Sequence, residues 1–428
     1  MKITIIGAGI AGVSTAWALR QAGHEVRVVE RKGSAAMETS YANAGQLAYG
    51  AIAPWASMSM IRSSLKTLFK PAGALKLPLF PSLLTWHFMT SMGRFALKPG
   101  FYETNWQAML KLGQFSKQAL QELESDLTLK YDGHHNGMLK LASNAGEKKE
   151  LMGVAAMLER CDIRHHWLSA QEALDTEPGL NSEAPLLGGL HIPGDGSGDC
   201  HRFTVELAKA CENAGVVFDY DSEVLSLRTY TDKLEAIYVR QRGKEDWQES
   251  DAFVFCTGCA SREFGLSLGL KLPIYPVKGY SITLPVTAAE RAPVSAVIDD
   301  RYRLAITRLG KRVRVTGFAE LVDNDKTLPD KRLSVLREGF DFRFPDSVDW
   351  SEAEPWAGFR PMTPDGPPAI GQGMQDNVWF NTGHGTWGWT MAAGSAALLT
   401  QQIAGSPPDF NTRPFDPTRF SRKGWFKG

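Results

Sequence analysis

The sequence lacks a net charge and has few cysteines for its length. Its 47 Lys and Arg residues balance 47 Asp and Glu residues, which excludes a general electrostatic attraction to nucleic acid. An odd, sparse set of cysteines argues against a disulfide scaffold and favours a reducing compartment; the five are Cys161, Cys200, Cys211, Cys256 and Cys259. At 428 residues the chain is long for one domain, so we expect two that share an interface.

Long apolar runs are also missing. No stretch of about twenty apolar residues occurs, so we expect no transmembrane helix. The nearest approach, 77–93, carries no charge but is interrupted by Pro78 and Pro81. The N-terminal MKITIIGAG reaches its glycines too early to contain the apolar part of a signal peptide. These absences predict a protein of the cytoplasm or of the cytoplasmic face of a membrane.

One stretch near the start lacks acidic residues altogether. From Thr39 to Tyr102 there is no Asp or Glu, although an even distribution would place about seven there. The same stretch has six cations, namely Arg62, Lys66, Lys70, Lys76, Arg94 and Lys98. Residues 56–70 combine apolar residues at helical spacing with a cationic stripe, which predicts an amphipathic helix.

This basic, apolar segment, residues 46–103, has two interpretations. An apolar helix side with a cationic stripe and Trp and Phe neighbours is typical of binding to an anionic membrane surface. The alternative is a subdomain that packs on the protein's own core and leaves its lysines in solvent. We favour a peripheral membrane contact through residues 55–98.

The first forty residues contain the clearest chemical motif. In chain order they predict a strand at 2–6, a G-x-G-x-x-G turn at Gly7, Gly9 and Gly12, a helix over 10–21, a strand over 26–29 and an acid at Glu30. These glycines allow a tight turn, a close approach to a pyrophosphate and close helix packing, and the helix N terminus favours phosphate. Glu30 suits ribose hydroxyls and disfavours the 2′-phosphate of NADP. The pattern predicts a site for FAD or NAD.

The middle of the chain mixes helical and strand patterns. Helical spacing predicts helices over 104–125, 147–160, 169–178 and 203–214, and strands are predicted at 135–143 and 251–261. From 275 to 320, apolar and polar residues alternate, which predicts antiparallel strands of a second domain. The backbone at Val224 could lie beside an adenine.

A calcium loop is one interpretation of residues 195–206. Asp195, Ser197, Asp199 and Glu206 match loop positions 1, 3, 5 and 12, but Cys200 replaces the required glycine. We favour a polar turn that leads into a helix.

The C-x-x-C motif at Cys256 and Cys259 could be a redox pair or half of a zinc site. No second pair of ligands accompanies it. We favour small residues that let the strand end at Thr257 and Gly258 approach a nucleotide, and we expect no metal.

Two C-terminal motifs complete the sequence pattern. In GFRPMTPDG, Arg360 is framed by prolines at the end of a predicted strand, and a bidentate guanidinium is a natural receptor for a carboxylate. In NTGHGTWGWTMA, Gly383, Gly385 and Gly388 let the backbone approach a ring. The helix that begins at about Thr390 would direct the positive end of its dipole there.

Taken together, these motifs resemble the D-amino acid dehydrogenases, bacterial flavoproteins of the wider D-amino-acid oxidase and glycine oxidase superfamily. The matching stretches are GAGIAG with Glu30, TSYANAGQ followed by APWA, YPVKGYS, AITR, GFRPMTPDG and NTGHGTWGWTMA. One departure lies at Tyr49–Ala51, where the family usually has Gly-Tyr before APWA, in a segment that helps to line the substrate entrance.

The resemblance implies an α/β fold with two domains. A Rossmann-like FAD-binding domain would comprise residues 1–45, 185–270 and 355–428. A substrate domain on a mostly antiparallel sheet would comprise 104–184 and 271–354. Residues 46–103 would form the basic apolar segment.

The resemblance also implies the site residues. Arg360 would bind the substrate carboxylate, Tyr280 and Tyr302 would help it, and His384 would lie near the edge of the flavin. The residues expected to contact FAD are Ile6, Gly7, Gly9, Ile10, Ala11, Gly12, Glu30, Arg31, Ser40, Asn43, Ala44, Gly45, Gln46, Val224, Thr257, Gly258, Gly383, Gly385, Thr386, Gly388, Trp389 and Thr390.

The implied reaction is oxidative deamination of a D-alanine-like amino acid to a 2-oxo acid and ammonia, with electrons passed to a membrane quinone. Two enzymatic alternatives are a D-proline or D-hydroxyproline dehydrogenase and a glycine or sarcosine type of oxidase. A third is a non-catalytic flavin- or NAD-binding membrane-associated protein. Arg360 argues against the last, because such a protein needs no carboxylate receptor beside its flavin.

Overall fold

The computed structural model describes residues 1–55, 75–76, 81–406 and 408–421. The predicted amphipathic helix at 56–70 lies outside these residues. Among the described residues, no helix is long and apolar enough to cross a membrane.

The described residues include nine α-helices. They are α1 (Ile10–Gln21), α2 (Leu83–Leu97), α3 (Phe101–Asp126), α4 (Ala145–Arg160), α5 (Ala170–Thr176), α6 (Cys200–Asn213), α7 (Ser261–Ser267), α8 (Asp330–Arg343) and α9 (Gly388–Ile403).

The same residues form twenty strands. They are β1 (Lys2–Ile6), β2 (Glu25–Val29), β3 (Gln46–Leu47), β4 (Leu75–Lys76), β5 (Met138–Ala142), β6 (His166–Ser169), β7 (Gly188–Ile192), β8 (Gly196–Ser197), β9 (Val217–Asp219), β10 (Ser222–Tyr230), β11 (Lys233–Gln241), β12 (Lys244–Glu249), β13 (Ala252–Phe255), β14 (Tyr275–Pro285), β15 (Ala296–Asp299), β16 (Leu304–Leu309), β17 (Arg312–Glu320), β18 (Glu354–Met362), β19 (Ala369–Gln372) and β20 (Val378–Thr382).

A six-stranded, mostly parallel sheet has the order β19-β20-β13-β1-β2-β9. Its central strand β1 pairs in parallel with β2 and β13. Ile3 and Ile5 pack into one core cluster with residues of α1 and α6. Ile6 packs on the other face with residues of the three-stranded sheet β10-β11-β12. Strand β13 is apolar and buried throughout because both faces of the sheet are covered there.

A nine-stranded sheet has the order β18-β14-β17-β16-β15-β5-β7-β6, with β4 beside β17. Strands β14, β16, β17 and β18 pair antiparallel, which confirms the prediction for 275–320. One face packs on α8, where Leu336 and Phe340 meet Ile282 and Val315. The opposite face meets residues 43–46: Arg314 donates to the Asn43 carbonyl at 3.1 Å, and Gln46 donates to the Val297 carbonyl at 3.3 Å.

Several predicted helices are present, with small differences at their ends. Helix α1 has the predicted bounds, and Ser169 caps α5 with a reciprocal contact to Glu172. Helix α6 begins three residues earlier than predicted because Asp199 caps it, accepting hydrogen bonds from the amides of His201 and Arg202. Side-chain caps of this kind satisfy the free amides of the first helical turn.

The boundaries between the two large sheets do not coincide with the expected domain borders at 185 and 355. Strands β7 and β18 belong to the nine-stranded sheet, although both fall within the stretches assigned to the FAD-binding domain. Helix α3, assigned to the substrate domain, packs on α9, where the Gly394 amide donates to Ser116 Oγ at 2.9 Å. The difference arises because periodicity predicts the type of an element, whereas its neighbours depend on long-range packing.

Candidate active site between the two large sheets

The turn after β1 requires glycine at two positions. Gly7 has a φ of +103°, and a Cβ there would lie 2.7 Å from the Cys256 carbonyl oxygen. A Cβ on Gly12 would lie 1.9 Å from the Gly7 carbonyl oxygen. The turn therefore packs tightly against the end of β13 and the first turn of α1, as a dinucleotide turn does.

The N terminus of α1 opens next to this turn. Its N-cap is Gly9, which has no side chain to accept the first helical amides. Ile10 donates its amide hydrogen to Ser40 Oγ at 3.0 Å, which brings the segment after residue 39 to the helix end. Such a helix end, with amides and a positive dipole, is suited to a pyrophosphate.

Glu30 is oriented by backbone amides at the end of β2. Its Oε2 accepts from the Ala8 amide at 2.7 Å, and its Oε1 accepts from the Lys32 amide at 2.8 Å. Each carboxylate oxygen has a further lone pair, which suits a ribose hydroxyl. Arg31 instead forms an ion pair with Glu38 at 3.0 Å, and Val224 lies on β10, two residues after Ser222, which donates to the Glu30 carbonyl.

The segment 43–48 is held from both sides. On one side it bonds to the nine-stranded sheet through Asn43 and Gln46, as described above. On the other side, Thr390 Oγ1 accepts from the Ala48 amide at 3.0 Å and donates to the Gln46 carbonyl at 3.3 Å. Gly45 has a φ of +69° within this segment. The predicted FAD contacts at 43–46 therefore lie between the nine-stranded sheet and α9.

The turn before α9 also approaches the site closely. A Cβ on Gly385 would lie 2.7 Å from Met362 Sδ. Among the buried polar atoms without a hydrogen-bond partner in the described residues, four lie in the first turn of α9, in the turn before it and on strands β14 and β16: Trp389 Nε1, Thr386 Oγ1, Ser281 Oγ and Thr307 Oγ1. Buried polar groups are almost always hydrogen-bonded, so this set fits a polar cofactor such as FAD.

The C-x-x-C motif has the geometry of ordinary buried thiols. Cys256 Sγ lies 4.0 Å from Thr15 Oγ1, whereas Cys259 Sγ lies 4.0 Å from the Phe359 carbonyl oxygen. Burial raises the pKa of both thiols to about 12, so neither is a thiolate near neutral pH. Thr257 bonds to Ser261 Oγ at 2.8 Å, and Gly258 accepts from Thr382 at 3.2 Å.

The two aspartates of the calcium alternative are engaged elsewhere. Asp195 accepts from the Gly50 amide at 2.7 Å. Asp199 caps α6 and pairs with Arg312 at 2.7 Å. The two aspartates therefore contact different parts of the fold.

Arg360 lies on β18, opposite Val277 of β14. Its Nη1 donates to the Phe318 carbonyl at 3.0 Å, and burial lowers its pKa to about 10. Among the described residues it forms no ion pair, and the remaining residues include no Asp or Glu. Withdrawing a charge from water without a partner is costly; Arg360 is half-buried, and a bound carboxylate would offset that cost.

Contacts on either side of Arg360 join β18 to Thr39 and to the turn before α9. The Phe359 carbonyl accepts from Thr39 Oγ1 at 2.7 Å. Met362 forms an isolated antiparallel bridge with His384. The guanidinium is therefore carried by a strand that touches both the 39–46 segment and the glycine turn before α9.

Tyr280 and Tyr302 are not brought to Arg360, which corrects the expectation that they assist it. Side chains alternate along β14, so Tyr280 lies on the opposite sheet face from Gly279 and Arg360. Its hydroxyl donates to Glu320 at 2.7 Å, and burial raises its pKa. Tyr302 packs on Phe342 with ring centroids 5.4 Å apart.

His384 is buried beside the glycine turn. Its Nε2 lies 3.2 Å from Ser395 Oγ, and burial lowers its pKa to about 4. The imidazole is therefore neutral near neutral pH.

Sequence reasoning missed the contribution of Thr39 and of the glycines on β14 and β18. Glycine inside an alternating strand marks a close approach, and Gly279 in YPVKGYS carries that signal.

Comparison with known proteins agrees with this geometry. The profile of the family described as FAD dependent oxidoreductase matches residues 2–402. A D-amino acid dehydrogenase of Neisseria meningitidis serogroup C / serotype 2a is 39% identical over 98% of this chain and 100% of the relative. A D-amino acid dehydrogenase of Chromohalobacter salexigens is 38% identical over the same shares.

Solved structures show the same fold at low identity. Glycine oxidase from Geobacillus kaustophilus has a TM-score of 0.73 at 21% identity, with 97% of this chain and 98% of that chain covered. L-proline dehydrogenase from P. horikoshii has a TM-score of 0.74 at 17% identity, with 98% of each covered. The predicted fold class and the FAD cofactor are confirmed. The chain belongs to the family of FAD dependent oxidoreductases.

Proposed function

We propose that this protein oxidises D-amino acids to 2-oxo acids and ammonia. The observation that carries the proposal is Arg360, a half-buried guanidinium without an ion-pair partner among the described residues, on a strand that contacts Thr39 and the glycine turn before α9. The curated relatives named D-amino acid dehydrogenase, similar over the whole chain, support the same substrate class.

Arg360 acts by fixing the substrate. Two guanidinium N–H groups donate parallel hydrogen bonds to the two oxygens of a carboxylate, which places the amino acid on the sheet face that meets residues 43–46. FAD, when bound, would supply the acceptor for the hydride (two electrons and one proton) that leaves Cα. His384 contributes no charge, since it is neutral.

The later steps of the reaction need no further group from the protein. The neutral amine gives its lone pair to the carbon that loses hydride, and then loses a proton, which yields an imino acid. Water adds to the C=N bond and ammonia leaves, which yields the 2-oxo acid. The role of the protein is mainly orientation.

A membrane quinone is the proposed electron acceptor. Helix α2 buries Thr85, Phe88 and Phe95, and Phe88 stacks on Tyr275 of β14 at 4.8 Å. Its outer side exposes three large apolar residues, Leu83 at 90%, Trp86 at 52% and Leu97 at 70%. This surface, in a stretch without acidic residues, supports a peripheral contact with an anionic membrane.

The position of α2 also supports a membrane quinone as the electron acceptor. The core cluster under α2 contains Phe88, Val277 and Met362. Val277 is the cross-strand partner of Arg360. A membrane on the outer side of α2 would therefore be separated from the substrate anchor by little more than one helix.

Anaerobic mixing with D-alanine and with L-alanine tests the proposal. We expect D-alanine alone to bleach the flavin absorbance, and a water-soluble quinone analogue to restore it faster than air does. Bleaching by D-proline, sarcosine or glycine alone would instead favour the enzymatic alternatives, and no bleaching by any of them would contradict the proposal.

A further inference from the structure

Two glycines face each other on neighbouring strands beside Arg360. Gly279 of β14 and Gly358 of β18 are direct cross-strand partners. They lie on the same sheet face as Arg360, because Gly358 is two residues before it and side chains alternate along a strand. Because neither glycine has a side chain, this pair leaves room for other side chains on the sheet face that meets residues 43–46.

A different side chain covers each glycine. A Cβ on Gly279 would lie 2.2 Å from Arg360 Nη1, so the guanidinium rests on that glycine. A Cβ on Gly358 would lie 1.9 Å from Trp356 Cη2, so the indole rests on the other. Because opposed Cβ positions are about 5 Å apart, the guanidinium and the indole lie side by side above the sheet.

Aromatic rings continue from Trp356 toward solvent. The ring centroid of Tyr41, the residue after the predicted FAD contact Ser40, lies 6.4 Å from that of Trp356. Tyr41 is exposed, and its ring meets His201 edge-on at 4.9 Å. Trp356 therefore lies between the carboxylate receptor and an aromatic cluster that reaches the surface.

We propose that Trp356 forms the wall that contacts the substrate's side chain and gives the enzyme a preference for apolar and aromatic side chains. The inference rests on the proposed function for its substrate class. A substrate whose carboxylate is held by Arg360 has its side chain within a few ångströms of the carboxylate carbon. The indole is the large apolar surface beside that anchor, and burying apolar area against it increases affinity.

Steady-state kinetics of the holoenzyme with D-alanine, D-leucine and D-phenylalanine test this role. Trp356→Leu should lower kcat/KM for D-phenylalanine relative to D-alanine by about tenfold or more, mainly through KM, and Trp356→Phe should retain most of the preference. Trp247→Leu, on the exposed strand β12, is the matched control and should leave the ratio unchanged. An unchanged ratio in Trp356→Leu would overturn the proposal.

Carboxylate binding to the wild type provides a measurement that needs no variant and no turnover. Benzoate and acetate are titrated against the flavin absorbance. Tighter binding of benzoate, by about tenfold or more, is expected, and equal affinities would overturn the role of Trp356. If no D-amino acid reduces the flavin while benzoate still binds more tightly, the proposed function fails and the apolar subsite stands.

Discussion

Thr39 donates its hydroxyl hydrogen to the carbonyl oxygen of Phe359 over 2.7 Å, and this bond joins the chain just before the predicted FAD contacts at 40–46 to strand β18, which carries Arg360. Ser40, which follows Thr39, accepts a hydrogen bond from the Ile10 amide at the start of α1. Arg360 follows Phe359 in β18. The N terminus of α1 and the strand that carries Arg360 are thus linked through two hydrogen bonds.

Loss of this bond should reduce substrate affinity. A neutral hydrogen bond contributes about 1 kcal/mol, so Thr39→Val should raise KM by roughly fivefold with a smaller effect on kcat. Thr39→Ser keeps the hydroxyl and is the control. Equal KM values for wild type and Thr39→Val would contradict a positioning role for Thr39.

Substitution of Arg360 should separate activity from stability. Arg360→Lys keeps the charge but loses bidentate binding, so kcat/KM should fall about 100-fold, and Arg360→Leu should be nearly inactive. Because Arg360 has no ion-pair partner among the described residues, Arg360→Leu should not lower Tm.

Arg343→Leu is the matched control for a buried arginine that is paired. Arg343 forms a buried ion pair with Asp299 and donates to Ser143 Oγ at 2.6 Å. Removing it should destabilise the protein by about 3–5 kcal/mol. A comparable loss of Tm in Arg360→Leu would show that Arg360 is structural.

Tyr280, on the sheet face opposite Arg360, should matter little for turnover. Tyr280→Phe removes the bond to Glu320, which remains paired with Arg332 at 2.6 Å. We expect a loss of about 1 kcal/mol in unfolding free energy and a kcat within about threefold of wild type. A fall in kcat of about 100-fold would place Tyr280 in the active site after all.

Asp195 should make stability depend on pH. Burial raises its pKa from 3.8 to about 7, so the folded state binds a proton more tightly than the unfolded state does. The free energy of unfolding should therefore fall as pH rises from about 4 to about 7. Asp195→Asn keeps an oxygen for the Gly50 amide and should flatten this dependence in urea titrations, whereas an unchanged slope would contradict the assignment.

The outer face of α2 should be required for vesicle binding. Leu83→Glu with Trp86→Glu should abolish co-flotation with vesicles that contain anionic lipid, while activity with a soluble acceptor stays at the wild-type value. Leu266→Glu, on the exposed side of α7, is the matched control. Undiminished flotation of the double variant would contradict the membrane contact through α2.

Local features of the site were predictable from the sequence, whereas its assembly was not. The helix at 10–21 and the role of the Gly7 and Gly12 turn follow from short-range sterics, and the structure agrees with both. The position of Tyr280 was not predictable in this way, because a resemblance marks the residue but not the sheet face that it occupies. Alternation along β14 and pairing with β18 decide that face.

The absence of an ion-pair partner for Arg360 among the described residues was likewise not predictable from the sequence. The motif identifies an arginine between prolines, but its lack of an ion-pair partner depends on strands far apart in the chain. Trp356 precedes Arg360 by only four residues, yet its place beside the guanidinium depends on the glycine of β14.

The most direct test of the central claim is anaerobic flavin reduction by D-alanine and by D-alaninamide, which lacks the carboxylate. If Arg360 anchors the substrate through its carboxylate, the wild type should be reduced by D-alanine at least about 100-fold faster, and Arg360→Leu should lose that discrimination. Equal rates for the two compounds in the wild type, or undiminished discrimination in Arg360→Leu, would contradict the account.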